Sequence, residues 1–202
     1  MSSQRAEAGA PMHRYIGPDT YGAHAQNWDA TQDSSGVFYV ANTQGILTYD
    51  GTAWRTIPTA NRSIARSVTA NDAGHVFVGA QRDFGRLTRT PEGNIEYVSL
   101  LDHVPSAARS FTDVWNTLAT PDGVYFHTFR YLFRWQPRTQ TLQSWKAETR
   151  FRYADVVHDT LYVHVEGRGL TALQNDSLRT VAGGEQFADK QVRFVLPHNG
   201  DQ

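Results

Sequence analysis

Few side chains in this sequence stand where their chemistry could be used. Asp83 and Glu166 are the one carboxylate pair that falls on matching loops, and two such groups could share the acid and base roles across a glycosidic bond. His127 and His164 take the same place in adjacent copies of a repeat and could begin a metal site. No third ligand accompanies them, because the matching residues elsewhere are Val40 and Gly79, so no metal is expected. Asn42, Gln81, Arg82, Asp83, Arg130, Tyr131, Glu166 and Arg168 gather planar hydrogen-bonding groups beside aromatic rings, a mixture that suits a polyhydroxylated ligand. The same residues would also serve as ordinary solvated turns. Asp33, Asp50, Asp72 and Asp122 sit in turns, where capping of backbone amides accounts for them. There is no cysteine, which excludes thiolate catalysis and cysteine-based zinc. No phosphate-cradling glycine loop, serine elbow or metalloprotease helix is present, so neither a catalytic residue nor a cofactor is expected.

The chain that must position these residues has 202 of them, 40% hydrophobic and 19% charged, with a formal net charge of -1. That is a globular composition, rich enough in apolar mass to bury a core. Of the 19 basic residues only Lys146 and Lys190 are lysines. Near-neutral charge argues against nucleic acid or an anionic membrane as partner. The first twenty residues hold no apolar stretch of signal-peptide length, and no later run approaches a membrane span.

Organisation comes from a repeat. Asp33 through Val37-Phe38-Tyr39 lies over Asp72 through Val76-Phe77-Val78, with Gly36 over Gly74; a third copy places Gly123 before Val124-Tyr125-Phe126, and a fourth places Asp159 before Leu161-Tyr162-Val163. The glycine register advances by 38 (74 minus 36) and then 49 (123 minus 74) residues, a period of about 40 to 50 that fits one propeller blade. Each copy reads as four short strands separated by Asp/Ser/Gly turns, and consecutive apolar residues at 37–40, 76–78 and 124–126 predict strands buried on both faces. The segment 102–110, which contains Pro105, reads as a loop. The expected fold is therefore all-β: an incomplete β-propeller of four-stranded antiparallel blades at about 21–60, 61–101, 110–147 and 150–182, after an N-terminal tail of residues 1–20. The start of a fifth blade is expected at 190–202, from Gln191 to Leu196 onward. A ring stabilises its terminal blades by closing, so the sequence reads as the N-terminal portion of a longer protein or as a truncated gene product. Trp54 and Trp145 fall at matched outer-strand places and are expected to pack between blades.

The string Gln26-Asn27-Trp28, Gln32-Asp33-x-x-Gly36, Ala41-Asn42-Thr43-x-Gly45-Ile46-Leu47-x-Tyr49-Asp50-Gly51-x-x-Trp54 resembles the two-component-regulator propeller repeat, and Val78-Gly79-Ala80-Gln81-Arg82-Asp83-Phe84-Gly85 is a related string in the second copy. The resemblance runs from about Tyr21 to Leu196. It implies the periplasmic ligand-binding sensor of a bacterial hybrid histidine kinase or diguanylate cyclase, built on a seven-bladed propeller, with the membrane helix and output module elsewhere. It further implies a small-molecule or oligosaccharide ligand, no catalysis and no membrane contact in this portion, and room for a homodimer formed through the full-length protein. Two alternatives remain: a propeller enzyme acting on glycans, and a protein-interaction scaffold.

Overall fold

Residues 14–197 are described by a computed structural model of the chain. They form four consecutive four-stranded antiparallel sheets. The first holds β1 (Asn27–Gln32), β2 (Phe38–Asn42), β3 (Gly45–Tyr49) and β4 (Trp54–Ile57), and the second holds β5 (Ala65–Ala70), β6 (Val76–Ala80), β7 (Asp83–Arg89) and β8 (Ile95–Ser99). The third holds β9 (Asn116–Thr120), β10 (Gly123–His127), β11 (Tyr131–Gln136) and β12 (Thr141–Lys146), and the fourth β13 (Phe151–Val157), β14 (Thr160–Val165), β15 (Gly169–Gln174) and β16 (Ser177–Thr180). Strands pair in chain order within each sheet, and the innermost strands β1, β5, β9 and β13 pack one against the next. This is the all-β propeller architecture that the repeat predicts.

Burial follows the junctions between blades. One apolar cluster joins Tyr39 and Ile46 of the first blade to Val76 and Val78 of the second; another joins Phe77 and Phe84 to Phe126, Phe133 and Trp135; a third joins Tyr125 and Leu132 to Phe151, Leu161 and Val163. Both faces of β6 and β10 are buried throughout, as consecutive apolar residues require. In the first blade, by contrast, β1 is largely exposed and Phe38 is 45% exposed, because only one face of that blade meets a neighbour among the described residues. Phe84 stacks on Phe126 at 4.4 Å and lies 5.0 Å from Phe133, at the centre of the junction between the second and third blades.

Several expectations need correction. Segment 102–110 is more than a solvated loop: it carries two 3-10 turns, Leu101–His103 and Ser106–Ala108, and sends Val104 and Ala108 into the same core as Phe84. Within the expected N-terminal tail, Pro18–Tyr21 forms a short helix, α1, that buries Tyr21 against Trp54 at 5.7 Å. Trp54 therefore packs on α1 and on Tyr49 of its own blade, whereas Trp145 does bridge blades, its Nε1 donating to the Asp176 carbonyl at 2.7 Å. Asp33 and Asp50 cap their turns as expected, but in the second copy that role belongs to Asn71, whose Oδ1 accepts the His75 amide hydrogen; Asp72 makes no such bond. The true register thus pairs Asp33 with Asn71, one residue from where side-chain type alone puts it.

Gln191 to Leu196 form no strand, although the amide of Val195 donates to Asp155 Oδ2 at 3.3 Å, as Val68 of β5 donates to Asp29 Oδ2 at 2.9 Å. The segment lies against β13 of the fourth blade without pairing into a sheet. Residues 198–202 lie outside the described residues.

Replacing Phe84 with Ala should cost about 3–5 kcal/mol, since the site is enclosed by rings from two blades and has little freedom to collapse. Urea unfolding followed by tryptophan fluorescence measures it; a loss below about 1 kcal/mol would mean that this junction is not the main core.

Candidate binding site at the axial mouth

Pairing between the two inner strands of each blade decides which side chains reach the axis. In three blades the register slips by one residue near the start of the innermost strand, leaving Trp28, Arg66 and Arg152 without a cross-strand partner. In the third blade Asn116 pairs with His127, so Trp115 takes the equivalent place, its amide donating to the His127 carbonyl at 2.8 Å. A bulge turns its extra side chain out of the regular in-and-out alternation. Around the axis the four residues read Trp, Arg, Trp, Arg.

The first three of these groups continue through Phe129 and Arg150 as a ladder. The Arg66 guanidinium lies 3.8 Å from the Trp28 ring and 5.1 Å from the Trp115 ring; Trp115 lies 5.5 Å from Phe129, and Arg150 covers the Phe129 ring at 3.9 Å. Cation–π contacts that are partly open to water contribute about 0.5–1 kcal/mol each, and more where desolvated. Arg66 is fixed from behind by an ion pair of its Nε with Asp113 Oδ1 at 2.8 Å, both side chains being nearly buried. Its Nη1 and the Trp115 Nε1 are buried donors without a hydrogen-bond partner.

At the fourth-blade end of the ladder lies a cavity of about 550 Å³, lined by Phe129, Arg152, Tyr153, His164, Glu166 and residues 188–193. That volume suits a small saccharide or metabolite. Arg152 pairs with Glu166 across its wall. His164 is 2% exposed, and its Nε2 lies 2.8 Å from the Phe187 carbonyl, an atom that only accepts. In the neutral ring Nε2 therefore carries the hydrogen and Nδ1 is left as an acceptor, buried and without a partner. A ligand hydroxyl is a group that would satisfy it.

The residues singled out from sequence divide in two. Asn42 is fully buried, its Nδ2 donating to the His24 carbonyl and to Asn27 Oδ1. Asp83 is 1% exposed and accepts from Ser99 Oγ at 2.7 Å; burial raises its carboxyl above the usual range. Tyr131 is 5% exposed, with its hydroxyl donated to the Ala107 carbonyl. These three face into the blades because each stands within a strand, in phase with the core. Gln81 bridges to Asp113 through its backbone, Arg82 and Arg130 are exposed, and Arg168 bonds back to Thr180 and the Leu178 carbonyl. Only Glu166 lines the cavity, beside Phe129 from the neighbouring mouth loop. The Asp83–Glu166 pairing for glycoside chemistry does not hold, since one partner is sealed inside the second blade. Trp28, Arg66, Trp115 and Arg152 escaped notice as a set because a bulge leaves no mark within one strand's sequence.

His127 and His164 are packed residues that tie successive blades. His127 is fully buried, with Nδ1 2.9 Å from the Asn116 amide and Nε2 3.2 Å from the Phe151 carbonyl of the next blade. Strand pairing aligns them with Ala41 and Gly79, so the first-copy match is Ala41 and not Val40. At Gly79 a Cβ would strike Ser67 Oγ and Val114, and Ser67 makes the tie there by donating to the Val114 carbonyl at 3.0 Å. Among the described residues no group of three or more potential metal ligands occurs.

Comparison with solved structures places the fold among β-propellers. The extracellular domain of a hybrid two-component system from B. thetaiotaomicron superposes with a TM-score of 0.63 at 15% identity, over 77% of this chain and 22% of that one. A second such extracellular domain from the same organism gives a TM-score of 0.61 at 15% identity, over 82% and 26%. Virginiamycin B lyase from Staphylococcus aureus gives 0.55 at 12% identity, over 76% and 54%. The chain therefore spans about a quarter or less of the two sensor domains and about half of the lyase. At these identities the likeness is one of fold. No protein-family model and no curated protein sequence matches the chain. Among the described residues no helix is long and apolar enough to cross a membrane.

Burial lowers the His127 imidazole to about 4. Between about pH 6.5 and 4 the unfolded chain takes up a proton that the folded one refuses, so stability falls as pH falls through that window, by up to about 3 kcal/mol. Asp83, raised by burial, works in the opposite direction. Urea denaturation at pH 7.5 and 4.5 should show a smaller difference for His127→Gln than for the native chain; equal differences would remove His127 as the source.

Proposed function

We propose that this chain is part of the ligand-binding sensor propeller of a bacterial signalling protein, acting outside the cytoplasm and passing occupancy to a histidine kinase or diguanylate cyclase output module. The ligand, a small oligosaccharide or related metabolite, sits at the axial mouth and is not turned over. The observation that carries this reading is the cavity between the fourth blade and residues 188–193, which combines an aromatic face, Phe129, with the polar pair Arg152 and Glu166 and the unpartnered acceptor of His164. Aromatic faces and planar hydrogen-bonding groups side by side are the recognition chemistry of sugars. The resemblance of the first two repeats to sensor propellers, and the fold shared with extracellular domains of two-component systems, point the same way.

In this reading the ligand bridges the fourth blade and the segment that follows it. It therefore favours the arrangement in which the two are held together, and the size of the response is set by the difference in affinity between arrangements. The enzyme alternative takes support from the fold shared with virginiamycin B lyase. It loses the one carboxylate pair that suggested glycan cleavage, because Asp83 is buried within its blade.

A panel of plant and bacterial oligosaccharides tested by isothermal titration calorimetry should give at least one binder that the protein leaves chemically intact. Phe129→Ala and Arg152→Ala should each weaken that binder by about tenfold or more, while the exposed Arg82→Ala leaves it unchanged. Unchanged affinity in both cavity variants would move the site elsewhere, and release of cleaved product would convert the sensor reading into an enzyme one.

A further inference from the structure

We infer that the ligand of this cavity is acidic, a saccharide bearing a carboxylate, and that Arg193 and Lys190 select for it. This rests on the sensor reading and specifies its ligand class. The cavity is lined by three cationic side chains, Arg152, Lys190 and Arg193, against two carboxylates, Glu166 and Asp189. Glu166 is already engaged by Arg152. Arg193 is exposed and within the chain donates only to Gln191 Oε1 at 3.1 Å, so its guanidinium is reachable and has no carboxylate partner among the described residues. Outside the cavity lining, Arg150 stands over the Phe129 ring at 3.9 Å and adds to the positive charge nearby. Further along the same row Arg66 Nη1 and Trp115 Nε1 are donors in search of an acceptor.

Net charge for the whole chain is only -1, so this local excess of cations is not a by-product of a basic protein. A neutral sugar would use the aromatic face and leave the reachable guanidinium of Arg193 facing water. A carboxylate supplies one, and guanidinium–carboxylate pairs are the strong, geometrically specific form of hydrogen bond. A cavity of about 550 Å³ holds one or two pyranose rings, so a mono- or diuronate is the fitting size.

The test compares galacturonate, glucuronate and mannuronate oligomers of two to four residues with the same oligomers after carboxyl reduction, which removes charge and keeps stereochemistry. Calorimetry on the whole chain should show at least one uronate binding about tenfold or more tighter than its reduced form, with the advantage shrinking between about 50 and 500 mM NaCl. The double variant Lys190→Gln, Arg193→Gln should bind the acid and the neutral form alike, with thermal unfolding unchanged. Equal affinity of the native chain for both forms would overturn the acidic preference and leave the sensor reading standing. Binding to no oligomer of either kind would overturn both. A preference for the acid that survives the double variant would overturn the role given to Arg193 and Lys190.

Discussion

In three of the four blades the innermost strand carries one residue more than its partner strand accommodates near the mouth, and the site depends on that surplus. A regular ladder would send residues 28, 66 and 152 alternately into one blade interface or the other. The bulge releases them from that alternation and turns them toward the axis, where two tryptophans and two arginines meet in sequence around the mouth. The arrangement needs three consecutive blades in fixed angular relation, because the Trp28–Arg66 and Arg66–Trp115 contacts each cross from one blade to the next.

What holds the blades at those angles is divided between apolar and polar terms. The clusters around Val78, Phe84 and Val163 bury the broad faces and supply most of the stabilisation. Beside the axis each junction also has one polar tie, part-buried at the first and buried at the other two: Asp29 accepting from the Val68 amide, Ser67 donating to the Val114 carbonyl, and His127 meeting the Phe151 carbonyl. Their individual worth is about 1 kcal/mol, but a buried backbone group left unpaired costs more than that, so they fix the register of one blade against the next. His164 makes the same tie to the Phe187 carbonyl and brings the connector after the fourth blade into place beside the cavity. One imidazole thus ties the wall of the cavity, with its other nitrogen buried and unpartnered beside it.

The arginines illustrate how charge is tolerated so near a core. Arg66 is almost withdrawn from water, a costly state offset by a short ion pair with Asp113 and by indole faces on either side. Arg152 and Arg193 stay closer to solvent at the cavity, where their charge remains available. Charge near the axis is thus graded, from a sealed cation at the second blade to reachable ones beside the fourth.

The amino-acid sequence by itself determined the repeat, the all-β class, the Asp33 and Asp50 turns and the doubly buried strands β6 and β10. Those features are local: a capping carboxylate bonds amides two to four residues away, and the three-residue apolar runs at 76–78 and 124–126 record the burial of their strands. The run at 37–40 nonetheless leaves Phe38 exposed where its blade lacks a neighbour among the described residues. Only the tertiary structure decided which side chains face the mouth. Asn42, Asp83 and Tyr131 have polar types that suit a rim, yet strand phase turns them inward, and Asn71 in place of Asp72 shows how a one-residue shift hides in similar side chains. Arg66 and Arg152 look like any exposed strand residues until two strands are laid side by side, because a bulge is a property of the pairing, and pairing is settled by packing between distant parts of the chain.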